Sequence, residues 1–396
     1  MAQTLKFGNG TWATKKGSTL AYSDTNNAFK PLPFTYTGAG KGTRVNKEGL
    51  IEVVENDRPR IDYTDSEDGV FLLEKAATNY IINSQSISLS PIKNGTFTDN
   101  FAISPDGTLN ATKLTATDID PYFYQSVSFA ASTYTASIYV KGIGNSIGKE
   151  FRFSIGGSSS NPKLKIPSEW TRFEYTVSMA SGSANTGLEI TDPAVVGDEV
   201  LVWGWQVENN SHATSYIPTQ GNPQTRVQET ASGSGNSEVF SDSQGVFYID
   251  TAALSNDGTN RQISISDGNT SQRVYFGFRS NSNEFLLSSR DSSYIVTTIG
   301  DVTNFNKYAF QYKSGNFKAF INGFNYTLDA DGGLLPTGLN TLNFNDGAGG
   351  ADYYGKTKEI GYYDTVLTDL ELETLTSYRS WEAMVKELNL NIIHNE

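Results

Sequence analysis

Val202-Trp203-Gly204-Trp205-Gln206-Val207-Glu208, running on to Ala213-Thr214-Ser215-Tyr216-Ile217-Pro218-Thr219, is the stretch whose reading decides the fold. Alternate residues of a strand point to one face, so Leu201, Trp203, Trp205 and Val207 fall together. Such a stripe ordinarily lines a core. Working outward, the same period recurs. Phe123, Val127 and Phe129 share a face, as do Tyr134, Ala136, Ile138 and Val140, and then Phe173, Tyr175 and Val177. Short strands at this spacing, divided by turn clusters, predict a sandwich or jelly roll over residues 86–228.

Further on, Tyr308, Phe310 and Tyr312 alternate, Lys313-Ser314-Gly315-Asn316 turns the chain, and Phe317, Ala319 and Ile321 alternate back. Asn322-Gly323 then supplies a hairpin signal. Residues 238–380 are therefore expected to form a second β unit. Residues 229–237 are small and polar and predict a flexible linker. Residues 1–85 hold many turns and scattered aromatics (Phe7, Trp12, Phe29, Phe34) with little alternating apolar sequence. They are expected to be an irregular attachment arm whose aromatics a partner covers. Thr368 can cap a helix with Glu371 at the capping-box position. That helix is expected to run toward Leu388 with Leu372, Leu375, Tyr378 and Trp381 inward, leaving residues 381–396 as helix end and tail. The two β units do not align with each other. The expectation is an all-β chain of tandem antiparallel β-sandwiches of jelly-roll type, with an irregular N-terminal leader and a short C-terminal helix.

Composition agrees with that class. The 396 residues include 37 glycines and 12% aromatics against 18% charged residues, a turn-rich β profile rather than a disordered one. A net charge of −13 argues against nucleic-acid binding, since phosphate would be repelled. There is no cysteine, which excludes thiolate catalysis, disulfides and cysteine-bound zinc. With His212 and His394 the only histidines, a histidine triad or a multi-histidine metal site within one subunit is nearly excluded. No run approaches the length of a membrane span, and the first ten residues lack a signal-peptide apolar core.

Several phrases resemble a β-sandwich module of bacteriophage structural proteins, related in shape to carbohydrate-binding modules. Leu73-Glu74-Lys75-Ala76-Ala77-Thr78-Asn79-Tyr80-Ile81 is similar to the family's opening phrase, with Lys75 where proline is usual. Ser104-Pro105-Asp106-Gly107-Thr108, Ala111-Thr112-Lys113-Leu114 and the Val202 to Thr219 segment follow in the family's order. Upstream, Thr43-Arg44-Val45-Asn46, Gly49-Leu50-Ile51-Glu52 and Pro59-Arg60-Ile61-Asp62-Tyr63 fit its leader. Lys358 to Asp364 and Leu367 to Glu371 resemble the last strand and helix of laminin-G or concanavalin A-like lectin domains. The resemblance implies a virion protein, assembled in the host cytoplasm and exposed on the particle surface, docked to other virion proteins through its leader. By analogy with fibres it implies a homo-oligomer, a trimer. No nucleic acid or membrane partner is expected.

Candidate sites follow from the residues. Tyr122 and Tyr124 point away from the Phe123 face, beside Ser126 and Ser128, and two aromatics on a polar face can contact glycans. Trp205 stands where the family usually has a small residue, which makes it a third candidate sugar contact. Asp369-Leu370-Glu371-Leu372-Glu373 lies in a predicted helix, where residues two apart do not face each other, so it cannot serve as a glycosidase acid pair. Asp329-Ala330-Asp331-Gly332-Gly333 lacks the remaining ligands of a calcium loop and reads as a turn. Asn345, Asp346 and Asp352 are candidate ligands for a structural calcium, and no other cofactor is required. The leading reading is a non-enzymatic virion protein, a tail or head fibre or decoration protein, attaching weakly to host glycans. The alternatives are a structural connector that binds no glycan, and a polysaccharide-degrading enzyme.

Overall fold

Strand alternation becomes antiparallel pairing throughout the computed structural model, which describes residues 3–24, 28–38, 40–156, 161–191, 194–291, 293–326, 333–388 and 390. The chain divides into two compact units. One comprises Ala39–Glu55 and Ala76–Gln228, the other Met1–Gly38, Asn56–Lys75 and Glu229–Glu396. Among the described residues, no helix is long and apolar enough to cross a membrane.

The first unit is a sandwich of two five-stranded sheets. One sheet runs in the order Ile92–Lys93, Tyr122–Phe129, Gly182–Ile190, Glu150–Ile155, Lys163–Lys165. The other runs Gly95–Ile103, Leu109–Ala116, Glu199–Glu208, Ser132–Ile143, Thr171–Met179. Phe123, Val127, Phe129, Tyr134, Ala136, Ile138 and Val140 are buried in its core, as their alternation predicts. Strand Glu199–Glu208 departs from simple alternation. Its register against Ser132–Ile143 shifts between Ser137 and Tyr139, and Gly204 within it has φ +65°. The extra residue is a β-bulge that reverses the side-chain phase. Val200, Val202, Trp205 and Val207 therefore line one core, while Trp203 joins Ile51 and Tyr216 in a second cluster. The expected single stripe is corrected: the two tryptophans occupy different clusters, both fully buried.

The phrases that carry the phage-module resemblance turn out to be scaffolding. Asn79 donates from Nδ2 to the carbonyls of Trp205 and Ile217 and accepts at Oδ1 from the Ile81 and Val207 amides. Gln206 accepts from the Ile217 amide and donates to Glu208, which also receives the Thr214 amide and hydroxyl. Asp106 closes its own turn by accepting from Ser104, Thr108 and Asn110; these bonds outweigh partial burial and hold its carboxyl below the usual range.

In the second unit a twelve-stranded sheet faces a five-stranded one. The larger sheet contains the run Thr230–Ser232, Lys30–Thr37, Ser18–Ser23, Leu5–Gly8, Gly355–Tyr363, Gln244–Ala253, Asn306–Lys313, Lys318–Ile321. The expectation of an irregular arm over residues 1–85 is thereby corrected. Phe7, Phe34 and Phe71 are buried and pack edge-on around Phe7, with Phe344 beside them. Trp12 packs against the same core, and only Phe29 of the four scattered aromatics is strongly exposed. The strand Lys30–Thr37 is disguised by Pro31 and Pro33, which its register permits because Thr230–Ser232 pairs only with residues 35–37.

The predicted flexible linker is also part of this sheet. Ala231 and Ser234 are buried, Ser234 donates its hydroxyl to the Leu32 carbonyl, and Thr230–Ser232 is a strand. Their small size reflects close packing rather than freedom. Beside them Arg60, Glu74 and Glu229 form a buried ion cluster: Arg60 Nε donates to Glu229 at 2.6 Å, Nη2 to Glu74 at 2.8 Å, and the Tyr36 hydroxyl donates to Glu229 at 2.6 Å. Burial works against the Arg60 charge, but Glu229 and Glu74 outweigh it and raise its pKa.

Helix α1 (Asp369–Thr376) has the predicted capping box between Thr368 and Glu371 and buries Leu372. It does not continue to Leu388. Ser377 is extended, Ser380 caps a separate helix α2 (Trp381–Glu387), and Trp381 is exposed rather than inward.

Candidate functional site

Strand Tyr122–Phe129 turns Phe123 into the core, so Tyr122 and Tyr124 stand on the opposite face of the sheet, each half-buried. Their rings lie 5.7 Å apart with planes 32° from parallel, an adjacent aromatic pair on that face. Register sets its surroundings. Lys93, Tyr122, Glu189, Arg152 and Lys163 follow one another across five strands, and the next row runs Tyr124, Gly187, Ser154. Lys93 Nζ sits 5.5 Å from the Tyr122 ring centre, and the Tyr122 hydroxyl helps raise the Lys93 pKa. Arg152 pairs with Glu189 at 2.9 Å. Opposite Tyr124 stands Gly187, where a Cβ would lie 2.0 Å from the Phe123 carbonyl oxygen. Only glycine fits there, so the neighbouring strand places no side chain opposite that ring. The face thus offers apolar ring surface bordered by charged donors and acceptors, the chemistry a sugar ring needs.

The structure does not bring Trp205 to this face. It is buried completely, edge-on to Phe123 at 5.3 Å, because the bulge at Gly204 turns it inward; the candidate sugar contact there is corrected to a core residue. The residues proposed for calcium lie in one loop region of the second unit. Asn345 accepts from the Gly347 amide, and Asp346 accepts from the amides of Ala348 and Gly350. Tyr354 bonds to Asp352, which together with burial raises the tyrosine pKa. Among the described residues no three acidic, histidine or cysteine side chains cluster as metal ligands. Of the Asp329–Gly333 turn, residues 329–332 lie outside the described residues.

One cluster escaped the sequence reading. In the second unit, register places Glu359, Asp250 and Lys307 side by side on strands Gly355–Tyr363, Gln244–Ala253 and Asn306–Lys313. Asp250 is 5% exposed, its Oδ1 has no hydrogen-bond partner, and it lines a cleft of about 690 Å³. Burial pushes its carboxyl up to about 7 against the pull of Lys358 and Lys307, and burial likewise raises Glu359. Three strands far apart in the chain supply this row, so no linear motif announces it.

No family model and no curated protein matches the chain. Among solved structures, it is similar to the CBM40 of Ruminococcus gnavus IT-sialidase bound to alpha2,3 sialyllactose, at 18% identity over 37% of this chain and 94% of that one, TM-score 0.31. It is similar to the carbohydrate-binding module CBM6cm-2 of Cellvibrio mixtus lichenase 5A in complex with cellotriose, at 17% identity over 36% of this chain and 100% of that one, TM-score 0.24. The CBM22 tandem domain of Paenibacillus barcinonensis Xyn10C matches at 11% identity over 74% of this chain and 100% of that one, TM-score 0.24.

Proposed function

We propose that the chain is a non-enzymatic component of a phage particle that presents β-sandwiches for weak, multivalent attachment to host-surface glycans. The Tyr122–Tyr124 pair carries the glycan reading: two rings, tilted 32° from parallel, sit on a sheet face turned away from the core, bordered by Lys93, Glu189 and Arg152. The particle setting is supported by the sequence phrases that resemble phage modules. Many copies on one particle would multiply a weak contact into useful avidity.

The acids favour binding over hydrolysis. Asp369, Glu371 and Glu373 fall in or beside the first turns of α1, with Glu371 occupied by its cap. Asp250 and Glu359 are neighbours, and burial raises both carboxyls.

The test is a glycan array probed with the native chain and with a Tyr122→Ala/Tyr124→Ala variant. We expect the variant to keep its melting temperature and to lose about tenfold or more in apparent affinity. Undiminished binding by the variant would rule the platform out. Incubation with bacterial polysaccharides should release no new reducing ends.

A further inference from the structure

The cleft over Asp250 has no role in the tyrosine-platform reading and lies in the other compact unit. Its volume falls inside the roughly 300–1,000 Å³ range of ligand pockets. At its floor the sequence of charges across the sheet is acid, acid, base: Glu359, Asp250, Lys307. Lys358, on the same strand as Glu359, reaches Glu387 of α2 at 3.1 Å and lies 4.0 Å from the Phe305 ring centre. Lys307 donates to the Ser377 carbonyl at 3.2 Å and sits over the Tyr378 ring. Neither lysine reaches Asp250 within ion-pair distance. A carboxylate more than nine-tenths buried thus lines an open cleft without a hydrogen-bonding partner, which is costly unless something supplies a donor.

The lining decides what that donor is. It holds six carboxylates and five basic side chains, close to electrical balance. An anionic ligand would meet Asp250 and Glu359, a cationic one would meet Lys307 and Lys358, and an apolar one would leave Asp250 unsatisfied. A hydroxyl both donates and accepts, so neighbouring hydroxyls on a rigid ring can donate to a carboxylate and accept from a lysine at once. We propose that this cleft is a second ligand site, which takes a neutral sugar residue whose hydroxyls donate to Asp250 and accept from Lys307.

Saturation-transfer NMR on the full chain with methyl glucoside, galactoside, mannoside and N-acetylglucosaminide tests it. At least one glycoside should bind. Asp250→Asn and Asp250→Ala should each weaken that binding at least about tenfold, and Tyr122→Ala/Tyr124→Ala should leave it unchanged. Should Asp250→Ala fail to fold, the near-isosteric Asp250→Asn and a Lys307→Gln variant carry the comparison. Absence of binding by all four glycosides overturns the proposal, as does equal binding by the Asp250 variants or displacement of the glycoside by inorganic phosphate. Loss of glycoside binding in the tyrosine variant would overturn it too, while leaving the platform reading intact.

Discussion

At the scale of single residues, the buried charges make the sharpest predictions. Arg60 is 1% exposed and held between Glu74 and Glu229. Removing one partner of such a cluster strands the others, which typically costs about 3–5 kcal/mol. Glu229→Ala should therefore lower the urea midpoint by a corresponding amount. Asp250 behaves differently, because its folded pKa is about 7 and its unfolded one is ordinary. The groups around it are Lys307, Lys358, Glu359, Glu387 and the tyrosines Tyr248, Tyr308 and Tyr378. With the folded pKa raised, its contribution is intact below about pH 4 and is lost as pH rises through 7. Asp250→Asn should match the native chain at pH 4 and exceed its stability at pH 8 by an amount on the order of a few kcal/mol. Equal stabilities at both pH values would show that the carboxyl is not buried as described.

At the scale of elements, strand period was legible wherever partner strands followed closely in the chain. Phe123, Val127 and Phe129, and the run from Tyr134 to Val140, sit where their alternation places them. The capping box of α1 was equally plain, since Thr368 and Glu371 lie three residues apart. The bulge at Gly204 was not legible, because Leu201 to Val207 alternates without a break. Its side-chain phase is set by a neighbouring strand rather than by its own sequence. At Gly204 φ is positive, and a Cβ would come 3.1 Å from Tyr139 Cδ2. Gly204→Ala should thus cost about 1–2 kcal/mol in equilibrium unfolding. A neutral substitution would mean the strand can shed its bulge and re-phase Trp205.

At the scale of the whole molecule, the shared face of Tyr122 and Tyr124 was legible and the second sandwich was only half so. Tyr122 and Tyr124 needed one strand and its polarity. The strands of the leader have no local signature because Leu5 pairs with Tyr362, Tyr36 with Ala231 and Leu73 with Gly355, partners that no local pattern reveals. Residues 229–237 resemble a linker in composition because Ala231 and Ser234 are small for packing reasons. Deleting residues 1–38 should consequently remove four strands and leave the second unit unfolded, seen as collapse of its dispersed NMR signals. Survival of those signals would return residues 1–38 to the status of a dispensable arm. Proteolysis within residues 229–237 should occur only under conditions that unfold that unit.

The interleaving of the two units in the chain has a consequence for synthesis. Residues 76–228 emerge from the ribosome as a nearly continuous block and can close most of their sandwich at once. Strand Leu5–Gly8 must wait for Gly355–Tyr363, about 350 residues further along the chain. At translation speeds of about 5–20 residues per second that interval is tens of seconds. Through it, Leu5, Phe7, Leu32 and Phe34 have one another and Phe71, but none of the core that residues beyond 229 supply. The nascent chain carries these apolar strands short of most of their core while residues 76–228 are already folded, so its yield should depend on chaperone supply and translation rate more than its final stability would suggest.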